Sequence, residues 1–85
     1  MRDNDAIAEA KERIHQILMA KAEYMRDIAR MCIANADVVI SALQQKDIAT
    51  AERLCEAVVR EADNLVSKGM DLRRDVAEAE NLGRW

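Results

Sequence analysis

An all-α fold, specifically an antiparallel hairpin of two long helices, is what this sequence predicts, and three observations predict it. The 85 residues contain no proline and only two glycines, so little interrupts a helix once it has begun. The chain is 51% apolar and 34% charged, drawn mostly from residues that sustain long helices, and it is too apolar to remain disordered. One polar cluster, Gln44-Gln45-Lys46-Asp47, is the only mid-chain segment that reads as a turn. A single helical domain over residues 1–85 follows.

Helix one can be capped by Asp3, Asn4 or Asp5, whose side chains accept hydrogen bonds from the first free backbone amides. It is expected over about residues 4–43. Asp47 is a suitable cap for helix two, expected over about 48–82, with Gly83 placed for a left-handed terminal residue and Arg84 near the negative end of the helix dipole. At about 100° per residue, helix one gathers Ile7, Ala10, Ile14, Ile17, Leu18, Met25, Ile28, Cys32, Ala36, Val39 and Leu43 into a stripe. Helix two gathers Ile48, Ala51, Leu54, Cys55, Val58, Val59, Ala62, Leu65, Val66, Gly69, Met70, Leu72, Val76 and Ala77. Its opposite side is polar, from Arg53 to Glu78, which makes it amphipathic. A short loop between two such helices makes them antiparallel neighbours. With the turn near Gln45, facing positions should sum to about 90, which sets Lys21 opposite Gly69 with its stem over the glycine.

The second half of helix one carries more apolar surface than one partner helix covers. Tyr24, Met31 and Val38 form a row on one side of the stripe, and Ile33 and Ile40 lie on the other. These five residues are the predicted interface. A second copy of the chain, giving a homodimeric four-helix bundle, is the expected cover, because closed twofold dimers are common and a lone hairpin has a small core. The alternative is a three-helix bundle, with helix one broken near residues 35–37 and folded back on itself.

Several chemistries find little support. The formal charge of −3 comes from 13 basic and 16 acidic residues that are interspersed, so no basic block matches a run of phosphates. The apolar stretch from Ile28 to Leu43 is too short to span a bilayer and carries Arg30, Asn35 and Asp37. Met1-Arg2-Asp3-Asn4-Asp5 is not followed by an apolar run, so a cytoplasmic location is expected. Cys32 and Cys55 lack a CxxC spacing and are expected to be buried, reduced thiols. Glu12 and His15 have the Glu-x-x-His spacing of di-iron bundles, yet they project about 160° and 100° from the stripe centre, outward where ligands must point inward. With one histidine and no glycine-rich phosphate loop, no catalytic set is expected, nor any cofactor.

Ala42-Leu43, the turn residue Asp47, Ala51 and the run Glu61-Ala62-Asp63 resemble the helical hairpins of PhoU-type phosphate-signalling regulators. The acid-to-Asp spacing of four residues that those proteins use for metal is matched by Glu23 with Asp27 and by Asp71 with Asp75. The resemblance covers about Met19 to Asp75 and implies a metal-binding hairpin, although such regulators carry two repeats where this chain holds one. The residues themselves lead to a non-enzymatic protein-protein interaction module, an adaptor, chaperone or inhibitor that acts as a homodimer on another protein. An RNA- or DNA-associated regulator built as a dimeric four-helix bundle is the alternative, with Arg26, Arg30, Arg60, Arg73 and Arg74 as its basic groups.

Overall fold

The structure is a computed structural model that describes residues 2–83, with side chains from Asn4 onward. It contains two helices, α1 over Arg2–Gln44 and α2 over Ile48–Asn81, laid against each other as an antiparallel hairpin 67 Å long and 16 Å wide. The expected two-helix architecture is therefore the observed one. α1 runs unbroken through residues 35–37, which removes the three-helix alternative. The expected contact of Arg84 with the helix dipole lies outside the described residues.

The turn is built by backbone hydrogen bonds at the end of α1. Lys46 has a positive φ of 57°, and its N–H donates to the Leu43 carbonyl at 3.0 Å while the Asp47 N–H donates to the Ala42 carbonyl at 2.8 Å. This paired arrangement satisfies two of the last free carbonyls of the helix. The side chain of Asp47 then accepts from the Thr50 N–H at 3.2 Å and starts α2, as its position predicts. Hydrogen bonding from Thr50, its side chain first and then its backbone N–H, holds the Asp47 carboxyl below its ordinary pKa. At the far end Gly83 takes a positive φ of 150°, and its N–H donates to the Glu80 carbonyl.

The register differs slightly from the expected one. Cys32 lies against Val58, where the positions sum to 90, but Lys21 reaches Asp75 and Asn35 reaches Glu61, where they sum to 96. Lys21 thus pairs with Asp75 instead of covering Gly69, and a Cβ at Gly69 would sit 3.6 Å from the Met25 sulfur, in ordinary contact. The turn extends from Gln45 through Asp47 and is centred on Lys46, which moves the mean register in the observed direction, and the long side chains of Lys21 and Glu61 reach along the seam beyond it.

Few side chains are fully enclosed. Ile28, Ala42, Ala51 and Ala79 are the buried hydrophobic residues among those described. The rest of the seam, including Ile14, Leu18, Met25, Val39, Leu54, Val58, Leu65 and Leu72, is half-buried. Much of each predicted stripe is left outside it. Ile7, Ile17 and Leu43 of α1 are exposed, as are Ile48, Cys55, Val59, Val66, Met70, Val76 and Ala77 of α2. The stripes are wider than the strip that one neighbouring helix covers. Cys55 was expected to be buried and is exposed for this reason, whereas Cys32 is half-buried with its thiol directed at the Val58 carbonyl, 3.9 Å away.

Candidate interaction surface

All five predicted interface residues are exposed: Tyr24, Met31, Ile33, Val38 and Ile40 are each about half or more accessible, with Ile33 reaching 63%. The hairpin does not bring them together. Tyr24, Met31 and Val38 recur every seven residues, two turns apart, and so share one broad face of the hairpin with Ile17. Ile33 and Ile40 project to the other side of the seam, onto the opposite broad face.

Contacts between the helices fix which part of α2 accompanies each row. Lys68 places its ammonium 5.8 Å from the centre of the Tyr24 ring, within cation–π range, and Ile17, Tyr24, Lys68, Asp71 and Leu72 line a shallow groove together. The Tyr24 face is therefore apolar on α1 and polar on α2. Val59 and Val66 are rotated by roughly 120° and 140° from Asp71 about the axis of α2, at about 100° per residue, which carries them around to the Ile33 face. On that face both helices are apolar. Ile33 and Ile40 form one ridge and Cys55, Val59, Val66 and Met70 the other, with half-buried Ala29, Ala36 and Ala62 between them.

The α2 ridge was assigned from sequence to the intrachain stripe, so its role as outer surface was missed. A signal for it exists: Ile48, Val59 and Met70 recur every eleven residues, as do Cys55, Val66 and Ala77. Eleven residues make very slightly more than three whole turns, so such a set holds nearly one heading along the helix. That heading is a second apolar line beside the seam line of Ala51, Leu54, Val58 and Leu65.

Polar groups at the seam are tied to one another. Asn35 Nδ2 donates to Glu61 Oε1 at 2.8 Å, while Glu61 Oε2 is buried and accepts no hydrogen bond from the described residues. The Lys21 ammonium pairs with Asp75, and hydrogen bonding from it lowers the Asp75 pKa. Arg30 pairs with Asp27 and Arg74 with Asp71, each one turn apart on an exposed helix surface. Three of the four acids suggested by the PhoU resemblance, Asp27, Asp71 and Asp75, thus contact cations of the chain. Among the described residues no three His, Cys, Asp or Glu side chains converge as metal ligands, and no helix is long and apolar enough to cross a membrane. Compared with family profiles, characterised proteins and solved structures, the chain shows no match to any of them.

Proposed function

We propose that this protein is a non-enzymatic protein-interaction module, a homodimer that serves as an adaptor, chaperone or inhibitor for a larger protein. One observation carries the reading: fifteen large hydrophobic side chains stand exposed on a chain whose buried hydrophobic residues number four among those described. A hairpin with so small a core gains stability chiefly by covering that surface. Scattered apolar residues on a surface need no explanation, but rows that run along both broad faces do. The surface fits a protein partner better than a nucleic acid, because the net charge is negative and two of the five candidate basic groups, Arg30 and Arg74, each face a carboxylate.

Two measurements on the intact chain test the two halves of the proposal. Sedimentation equilibrium at micromolar concentration should give a dimer mass, and a stable monomer overturns the homodimer. A photoreactive residue in place of Met31, expressed in the native host, should cross-link to a different protein. Cross-links to copies of the chain alone overturn the adaptor, chaperone or inhibitor role.

A further inference from the structure

The two broad faces are not equivalent, and the difference identifies the one that a second copy takes; this step rests on the homodimeric reading above. From Ala22 to Leu43, α1 rises about 32 Å, and two helices side by side are about 20 Å wide. The Ile33 face over that length offers on the order of 600 Å² per chain in projection, so two copies meeting there bury on the order of 1,300 Å², within the range of about 1,200–2,000 Å² found for stable complexes. The Tyr24 face is apolar on one helix only. A pairing there would bury a similar area, but only about half of it apolar, with Lys68 and Asp71 desolvated in the contact.

Charge placement agrees with a second copy and orients it. Arg26 and Arg73 flank the end of the Ile33 face remote from the turn, and Asp37 and Glu52 flank the end near it. All four are exposed, and none forms an ion pair with another of the described residues. A second hairpin turned about a twofold axis perpendicular to the helices lays its acidic end against the basic end of the first. The geometry points to the face made by Ile33, Ile40, Val59 and Val66 as the seat of a second copy of this chain, packed antiparallel. The Tyr24 face then stays open on both sides of the dimer.

The test uses two doubly substituted full-length chains in sedimentation equilibrium. V59E/V66E should weaken dimerisation by at least about a hundredfold, because both charges enter the centre of the contact. M31E/V38E should change it by no more than about threefold, since charges on a solvated surface cost little. If V59E/V66E remains as tight a dimer as wild type, this face is wrong and the homodimer stands. If wild type is a monomer at micromolar concentration, the homodimer fails and this inference with it. Should V59E/V66E lose its helical structure, the wild-type Cys55 thiol decides the matter. It lies on the same face and is exposed in a single chain, so its alkylation should slow as protein concentration rises. A rate independent of concentration, in a protein that sediments as a dimer, overturns the assignment.

Discussion

Lys46 is the residue at which a substitution should stabilise the fold most directly. Its φ of 57° is one that a side chain with a Cβ adopts at a cost, about 1 kcal/mol for the left-handed region, and glycine adopts it freely. Its side chain is exposed and has no hydrogen-bond role in the turn, where the Lys46 and Asp47 N–H groups do the bonding. Lys46→Gly therefore removes the strain and keeps both hydrogen bonds. Against this stands the greater freedom of glycine in the unfolded chain, about 0.4–1 kcal/mol, so the net gain should fall between about zero and 1 kcal/mol. Lys46→Val goes the other way, because a β-branched side chain tolerates this conformation least, and should lose about 1 kcal/mol or more. Urea unfolding followed by far-ultraviolet circular dichroism at fixed protein concentration measures both variants. With the slope of about 1–3 kcal/mol per molar urea usual for small proteins, 1 kcal/mol moves the midpoint by about 0.3–1 M, well within reach of the assay. If Lys46→Val is as stable as wild type, the turn is not held in the left-handed conformation and the backbone pairing described for it is wrong.

Two further outcomes follow from the polar groups of the seam. Asn35→Leu takes away the donor to Glu61 and strands a part-buried carboxylate, which should cost about 1–3 kcal/mol in urea unfolding; adding Glu61→Leu should restore most of the loss, and a single variant as stable as wild type contradicts the contact. Asp47 and Asp75 both have pKa values lowered by folding, so the stability they confer is present above the ordinary carboxylate range and is lost as pH falls through the lowered values. Stability measured from neutral pH down to about pH 2 should therefore decline in acid, and Lys21→Met should make the decline shallower; an identical slope in the variant shows that the Lys21–Asp75 pair does not contribute.

Helix number, the turn and the ends of α2 were legible in the sequence because each depends on local chemistry, whereas α1 begins at Arg2 and takes the cap candidates Asp3, Asn4 and Asp5 into the helix. Absent prolines, an Asp at the start of α2 and a glycine at its end act through the backbone of their own neighbourhood. The division between seam and outer surface depends on how much of a stripe one neighbour covers, and that is a property of the packed pair. Hydrophobicity marks Val59 and Val66 as needing cover without saying which neighbour supplies it. They were accordingly drawn into the seam with Val58 and Leu65, and Cys55 with them. The flanking residues of α1 fared better, since Met31 and Ile33 lie on opposite sides of Cys32 and cannot all face a single helix. The residues that cross the seam as polar pairs, Asn35 with Glu61 and Lys21 with Asp75, required a register correct to within a turn.

The hairpin connection also bears on the order in which the chain folds. Cys32 and Val58 are 26 residues apart, Lys21 and Asp75 are 54 apart, and every contact nearer the open end closes a longer loop still. Bringing the outer pair together directly costs about 0.6 kcal/mol more in loop entropy than bringing the inner pair together. Once the inner pair is formed, however, each further contact lengthens an existing structure by only a turn of each helix. Assembly is thus expected to zip outward from Ala42, the turn and Ala51. Substitutions at Lys46 should then act mainly on the folding rate and those around Lys11 and Ala79 mainly on the unfolding rate, a contrast that stopped-flow kinetics can read. In the native state the same gradient makes the paired ends of α1 and α2 the first part of the hairpin to open, and hydrogen exchange should quicken progressively from the turn toward them.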